Sequence, residues 1–263
     1  MEPWSSAEQV ADAFGLDTAQ AAALARYVDL VLHWRASNIT ALRTRNDIMR
    51  VLIGDSLALL DVPELQRRAG AAWVDLGAGA GLPGVPLCVA LPSVKLTLLE
   101  SSAKKCVFLE AAVQATGVAE RTRVVCARSE THAAEGQPGR EAFAVVLARA
   151  VAPLPVLVEL AAPLLRTGGV LVASKTRRAL AEEGAGGAAA AAHSGLAVGS
   201  VVALPRSPLD DAVGVVYEKI GPTPQRLPRR EGLAAKRPLG VSAMGAAPWS
   251  PSVTVGDPAK GDR

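Results

Sequence analysis

Three glycines at alternate positions follow a short apolar run in the stretch VDLGAGAGLPGVP, residues 74–86: Gly77, Gly79 and Gly81. Glycine loses more backbone entropy on folding than other residues, so a glycine cluster indicates unusual dihedral angles or a ligand lying against the main chain. The dinucleotide fingerprint G-x-G-x-x-G would place its third glycine where this chain has Leu82. The G-x-G-x-G spacing therefore predicts a ligand held against the backbone, outside the dinucleotide pattern.

Glu100 is the second candidate, about twenty residues beyond this loop and at the end of the apolar run VKLTLLE. An acid at this distance from a glycine loop can accept hydrogen bonds from both hydroxyls of a ribose. The alternative is an ordinary solvated acid at the end of a strand. Together, the loop and Glu100 favour a ligand that contains a nucleoside.

The elements that must position these residues alternate between strand and helix. Short apolar runs predict five strands, and a hairpin follows: AAWVDLG, VKLTLLE, RVVCAR, FAVVLARA and VLVASK, then LAVGSVVAL with VGVVYEKI. AKKCVFLEAAVQATG is predicted to be a helix ending at Gly117, and PLPVLVELAAPLLRTGG, residues 153–169, to be helical throughout. This alternation predicts an α/β fold with a mostly parallel sheet covered by helices on both faces.

The 263 residues divide into three predicted parts: an N-terminal helical extension (1–66), the sheet domain (67–220) and a basic, proline-rich tail (221–263). Residues 5–34 are expected to be helical, and the tail mostly irregular and partly disordered. The net charge is +3, but from Lys219 to Arg237 six basic residues face one acid, a local charge of +5. Such a patch favours a nucleic-acid partner, whereas a solvated tail or weak binding to a membrane surface is the alternative.

Several functional classes are disfavoured by composition. The most apolar long stretch, residues 143–165, contains two charged residues and three prolines, so no membrane-spanning helix is expected. The N-terminus has no basic and apolar leader, which favours the cytoplasm. The three cysteines are expected to be buried thiols: Cys88, Cys106 and Cys126. The three histidines, His33, His132 and His193, are not spaced like metal ligands, so no metal is expected. We also expect a monomer.

The glycine loop after an Asp-containing strand resembles the S-adenosylmethionine (AdoMet) loop of class I methyltransferases. Methylation of exocyclic amines generally uses an Asn/Asp-Pro-Pro-aromatic motif after the fourth strand, and methylation of pyrimidine C5 needs a nucleophilic cysteine. This chain has ARAVAPL there, with neither. A ring nitrogen such as guanine N7 is already nucleophilic and needs only in-line placement against the methyl group. The missing motifs are therefore typical of a ring-nitrogen substrate.

The stretches DLGAGAGLPGVPL, LLESSAKKCVFLE, LARAVAPL and ASK resemble the RsmG (GidB) family, which methylates N7 of a guanosine in small-subunit ribosomal RNA. YVDLVLHWRASNITAL, GDSLALL and PRREGLAAKRPL extend the resemblance over about residues 27–239. It implies a class I methyltransferase with a Rossmann-like, seven-stranded, mostly parallel sheet, and AdoMet as cofactor. The implied substrate is guanosine 527 in the 530 loop of 16S rRNA, in the small ribosomal subunit or its assembly intermediate.

The same resemblance assigns residues. Gly77 and Leu82 would contact AdoMet, Glu100 would hold the ribose, and Ser129 and Glu130 would border the adenine. The loop itself predicts two further cofactor contacts, Gly79 and Gly81. Arg149 would lie in the active-site mouth as the catalytic residue and would also contact AdoMet; alternatively, it is a strand-end arginine paired with a surface acid. The RNA contacts are expected in the tail, at Arg229, Arg230, Lys236 and Arg237.

Three departures from the family pattern bear on the RNA contacts more than on the cofactor site. Leu52 stands where the family often has histidine, Gly54 replaces a larger apolar residue, and Thr176 stands where glycine is common.

Two other functions stay open at this point. A methyltransferase for a small molecule should lack the basic patch, and a non-catalytic nucleotide-binding module would transfer no methyl group.

Overall fold

The computed structural model describes Trp4, residues 6–240 and the backbone of residues 253–255. Its strands are β1 Ala72–Leu76, β2 Lys95–Glu100, β3 Thr122–Cys126, β4 Phe143–Arg149, β5 Leu165–Thr176, β6 Leu196–Ala203, β7 Ala212–Lys219 and β8 Val253–Val255. They form one central sheet with the strand order β3-β2-β1-β4-β5-β7-β6, and the short strand β8 is added beside β6. The first five strands are parallel, and β7 runs antiparallel to both of its neighbours. The predicted seven-stranded, mostly parallel α/β fold is confirmed.

Helices cover both faces of this sheet. They are α1 Ala7–Phe14, α2 Thr18–His33, α3 Arg45–Asp47, a π-helix Ile48–Gly54, α4 Asp55–Ala58, α5 Pro63–Arg67, α6 Gly84–Ala90, α7 Ala103–Thr116, α8 Ser129–His132, α9 Leu154–Ala161, α10 Arg177–Ser194 and α11 Leu233–Lys236. One core packs α2, α6 and α7 on the sheet around Tyr27, Trp73 and Phe108. The other packs α9 and α10 on the opposite face, around Leu157 and Tyr217.

The N-terminal prediction of one helical stretch over residues 5–34 needs a correction, because the chain forms two helices there. Gly15 ends α1 with a positive φ of 66°. Asp17 then starts α2, and a capping box satisfies two backbone N–H groups: Asp17 accepts from the backbone of Gln20, whose side chain accepts from the backbone of Asp17. The break lets both helices turn their apolar faces to one core.

The segment 153–169 is also not helical throughout. Helix α9 ends at Ala161, and the chain joins the sheet at Leu165, which lies opposite Phe143 of β4. Pro163 has no N–H to continue a helix, and its carbonyl instead accepts from the backbone of Glu141 at 2.8 Å. Leu165 is completely buried, so pairing with β4 outweighs the helical tendency of the preceding turn.

Lys219, the first residue of the basic stretch, is buried at the end of β7. Its Nζ donates to the carbonyl of Ala162 and to the hydroxyl of Thr223, each at 2.6 Å. Burial lowers its pKa from 10.5 to about 8, although Glu141 opposes the shift. Lys219 therefore fixes the start of the tail to the sheet domain and does not contribute charge to the surface.

Residues 221–240 have mostly irregular backbone, as expected, but they lie against the sheet domain. The carbonyl of Leu227 accepts from Arg140 at 2.9 Å, and Leu227 is buried. The prediction of partial disorder covers the whole tail, residues 221–263, of which residues 241–252 and 256–263 lie outside the described residues. One cysteine also differs from expectation: Cys88 and Cys106 are buried, but Cys126, the last residue of β3, is exposed.

Candidate functional site

A cavity of about 430 Å³ lies at the carboxyl ends of the central strands. Open parallel sheets bind ligands at this edge, and the volume falls within the range of about 300–1,000 Å³ typical of small-molecule sites. The lining comes from the ends of β1 and β2, the loop after β3, the loop after β4, helix α9 and the tail: Leu76, Gly77, Leu99, Ser101, Ala127, Arg128, Ser129, Glu130, Val151, Ala152, Val156, Leu160, Glu231, Gly232, Ala234 and Ala235. Of the predicted cofactor residues, Gly77, Ser129 and Glu130 are in this set. The others are not part of this lining: Gly79, Gly81, Leu82, Glu100 and Arg149.

The glycine loop follows β1 directly and takes left-handed backbone angles. The φ angles of Gly77, Gly79 and Gly81 are 67°, 58° and 81°. A β-carbon at Gly77 would meet Val151 at 3.1 Å, and one at Gly81 would meet Val85 at 2.7 Å. Among the described residues, a β-carbon at Gly79 would meet nothing nearer than the carbonyl of Gly77 at 3.7 Å, so this side of the loop is open to ligands. The loop thus presents bare backbone where a ligand can approach it.

Glu100 holds the glycine loop in place. One carboxylate oxygen accepts from the backbone N–H of Gly79 at 2.9 Å, and the other accepts from that of Ser102 at 2.8 Å. A carboxylate has about four acceptor positions, so two hydrogen bonds leave capacity for further donors such as hydroxyls. Glu100 is therefore a buried bridge between the loop and the start of α7, not a solvated acid.

Asp75, two residues before Gly77, is a buried acid that we did not single out from the sequence. One of its oxygens accepts from the backbone N–H of Gly84 at 2.8 Å, and the other has no hydrogen-bond partner among the described residues. Burial raises the pKa of Asp75 to about 7; the Gly84 hydrogen bond and Arg149 oppose this shift, and Glu100 adds to it. A single charged residue inside an otherwise apolar strand was the signal in the sequence.

Ser129 and Glu130 lie together on the far side of the cavity, at the start of α8. The hydroxyl of Ser129 donates to Glu130 at 3.0 Å, and the other Glu130 oxygen accepts from the backbone of Gly232 at 3.0 Å. The predicted adenine-side residues thus contact the tail as well as the cavity.

Leu82, at the end of the glycine loop, is partly buried and packs into the core beside α6.

Arg149 points toward the N-terminal extension. Its Nε lies 3.0 Å from a carboxylate oxygen of Asp55, and its terminal nitrogens donate to the carbonyls of Val51 and Leu52 and to the hydroxyl of Ser56 at 3.1–3.2 Å. Asp55 is only 1% exposed, so the partner acid is buried, unlike the surface acid of the alternative hypothesis. The next residue, Ala150, has a φ of 54°, a strained conformation for a residue with a β-carbon.

The four tail residues predicted to contact RNA divide into two groups. Arg229 forms two hydrogen bonds to Glu159 of α9, at 2.5 and 2.6 Å, and Glu159 is 2% exposed. The expectation that Arg229 is free for a phosphate therefore needs correction, because its guanidinium is already paired. Arg230, Lys236 and Arg237 are exposed, and within residues 6–240 no side-chain ion pair involves them.

None of the helices in the described part of the chain combines the length and the apolar composition that a membrane span requires. No group of three histidine, cysteine, aspartate or glutamate residues there has the arrangement of a metal site.

Comparison with known proteins gives a consistent set of relatives. The model of the GidB family, described as rRNA small subunit methyltransferase G, matches residues 20–206. A protein of Rubrobacter xylanophilus named ribosomal RNA small subunit methyltransferase G is 38% identical over 237 residues, covering 87% of this chain and 88% of that protein. A protein of the same name from Deinococcus deserti is 41% identical over 207 residues, covering 78% and 83%. Among solved structures, the crystal structure of a point mutant of MtNAS shares the fold, with a TM-score of 0.52 and 15% identity over 82% of this chain and 76% of that one.

Proposed function

This chain belongs to the GidB family of rRNA small subunit methyltransferases, and we propose that it transfers a methyl group from AdoMet to N7 of a guanine in 16S rRNA. The proposed target is guanosine 527 in the 530 loop. The single observation that carries the proposal is the arrangement of the open glycine loop, Glu100 and the cavity at one edge of the sheet. The proposed place of action is the cytoplasm, where the small subunit is assembled.

The residues present fit AdoMet. The bare backbone at Gly79 leaves space for a ligand against the loop, and Glu100 has acceptor capacity for ribose hydroxyls. Ser129 and Glu130 supply polar groups on the side where the adenine would lie. When bound, AdoMet supplies an electrophilic methyl group on a sulfonium.

Guanine N7 suits a site without a dedicated base. Its lone pair forms the new N–C bond while the C–S bond breaks, and the product base carries a positive charge with no proton to remove. The protein therefore has to bind both partners, align them and exclude water. In this proposal Arg149 acts at the mouth of the site by fixing the π-helix of the N-terminal extension beside the end of β4.

The basic tail is proposed to bind the RNA backbone through the side chains that point outward, those of Arg230, Lys236 and Arg237. They are exposed and lie on the same segment as four residues of the cavity lining. Phosphate contacts of this kind position a nucleic acid without reading its sequence. The recognition of one guanosine must then come from other parts of the site.

A methyl-transfer assay tests the proposal. The protein is incubated with isotopically labelled AdoMet and either naked 16S rRNA, small subunits from cells lacking this gene, or a panel of small nucleobases. Label in 16S rRNA, free or in the particle, is expected. Label only in small molecules would support the rival methyltransferase, and no transfer at all would support a non-catalytic nucleotide-binding module.

A further inference from the structure

Part of the wall of the cavity is built by the tail. We use the name strap for residues 229–239, an irregular segment that contains the short helix α11. Four strap residues line the cavity opposite the sheet edge: Glu231, Gly232, Ala234 and Ala235. Ala234 is buried, whereas Ala235 is an exposed residue of the cavity lining.

The strap is fixed at its two ends by one buried carboxylate. Arg229, at its start, binds Glu159 through two nitrogens, and the backbone N–H of Leu239, at its end, lies 3.4 Å from the same carboxylate. Arg229 also donates to the carbonyl of Arg237 at 2.6 Å, which ties the two ends to each other. Planar, two-point binding of a carboxylate by arginine is both strong and directional. Glu159 therefore sets the position of the whole segment.

A second set of contacts fixes the middle of the strap to the cavity. Gly232, with a φ of 72°, turns its N–H to Glu130 at 3.0 Å. The hydroxyl of Thr131 donates to Glu231 at 2.5 Å. Glu130 is thus shared by the strap and by Ser129, another residue of the cavity lining.

We infer that the strap is a structural wall of the AdoMet site, and that Arg229 and Glu159 are positioning residues for cofactor binding. This inference rests on the proposed function. Detachment of the strap would remove four of the sixteen described lining residues and open that side of the cavity. The strap then has two faces. Arg229 and Ala234 lie on the face that packs on the sheet domain, and Arg230, Lys236 and Arg237 lie on the exposed face that is proposed to bind RNA.

The apparent affinity of a ligand falls in proportion to the population of the binding-competent conformation. A variant that keeps the strap in place about one tenth of the time should therefore bind AdoMet about tenfold more weakly. We expect a loss of at least about this size in Arg229→Gln and in Glu159→Gln, measured as the AdoMet dissociation constant by calorimetry. Arg226→Gln is the matched control, because Arg226 precedes the strap and donates to the carbonyl of His193, away from the cavity.

Either substitution at the buried pair could instead unfold the chain, so thermal unfolding is recorded first and a second variant avoids the pair. Ala235→Phe adds bulk at an exposed position that faces the cavity and breaks none of the contacts above. We expect it to weaken AdoMet binding by at least about tenfold with an unchanged unfolding temperature, since its ring would occupy the ligand volume. Arg226→Phe, with the same added ring outside the cavity, should bind as the unmodified protein does.

The outcomes separate this inference from the proposed function. Suppose that the unmodified protein binds AdoMet, and that Ala235→Phe and those pair variants that fold bind it equally well. The strap is then not part of the site and the inference is wrong. If the unmodified protein binds no AdoMet, the proposed function fails and the inference fails with it. Weakened binding in the strap variants but not in the Arg226 controls supports both.

Discussion

Arg149 and Asp55 form an ion pair that joins the end of β4 to the first turn of α4, with 3.0 Å between Nε and the carboxylate oxygen. The second Asp55 oxygen accepts from the hydroxyl of Ser207 at 2.7 Å, on the connection between β6 and β7. Three distant parts of the chain therefore meet at one buried carboxylate. The N-terminal extension is held at the site by this contact and by the hydroxyl of Tyr27, which donates to the glycine-loop carbonyl of Ala80 at 2.6 Å.

Neutralising Asp55 should destabilise the fold. Asp55→Asn keeps an acceptor for Ser207 but leaves the largely buried Arg149 guanidinium without its counter-charge, so we expect the free energy of unfolding to fall by about 3 kcal/mol. Denaturant titration measures this. Glu182→Gln, which removes an exposed pair with Arg178 one helical turn away, is the control and should cost less than about 1 kcal/mol. Equal stability of Asp55→Asn and the unmodified protein would contradict the role of the ion pair.

Glu100→Gln should weaken AdoMet binding with little change in fold. The glutamine has the same shape, but its amide nitrogen must face the backbone N–H of either Gly79 or Ser102, so one bond of the bridge between the glycine loop and α7 is lost along with the charge. The lost charge would also weaken the proposed hydrogen bonds from the ribose hydroxyls. Hydrogen bonds to charged groups contribute about 1.5–3 kcal/mol, which corresponds to at least about tenfold in the dissociation constant. Calorimetry is the measurement, and Glu110→Gln on the exposed side of α7 is the matched control. An unchanged affinity would remove Glu100 from the site.

Asp75 should make stability depend on pH. Its folded-state pKa is about 7 and its unfolded value about 3.8, so the folded state binds the proton more tightly. The contribution of Asp75 to the free energy of unfolding therefore falls as pH rises from about 4 through 7 and is constant above that range. In Asp75→Asn, which mimics the protonated acid, this fall should be missing. Unfolding experiments on both proteins between about pH 4 and 9 test the direction of this pH dependence. If the difference in unfolding free energy between the unmodified protein and Asp75→Asn does not change over this range, Asp75 is not a buried, proton-binding group.

Removal of the outward tail charges should affect RNA binding but not AdoMet binding. In the triple variant Arg230→Ala, Lys236→Ala, Arg237→Ala, each lost phosphate contact should reduce the slope of log affinity against log salt by about 0.7 to 0.9. Arg229 is left intact, so the strap keeps its anchor to Glu159. A full salt slope in the triple variant would mean that the RNA surface lies elsewhere, for instance around the N-terminal helices.

The sequence was sufficient to predict the elements whose signals are local. The buried strands, the helix ending at Gly117 and the positive-φ glycines after β1 all follow from neighbouring residues. The contacts that complete the site join residues far apart in the chain, such as Glu159 with Arg229 and Asp55 with Arg149, and no local pattern encodes such pairs. The same limit explains why the local pattern predicts helix over residues 165–169, since their partner strand starts at Phe143.

The position of the transferred methyl group decides whether this chain methylates N7 of a guanine in 16S rRNA. Small subunits from cells lacking this gene are treated with the protein and AdoMet, and the 16S rRNA is then digested and analysed by mass spectrometry, first as nucleosides and then as mapped fragments. We expect one new 7-methylguanosine, located in the 530 loop at guanosine 527. A methyl group on an exocyclic amine, on carbon or on the ribose, or no new methyl group in 16S rRNA, would contradict it.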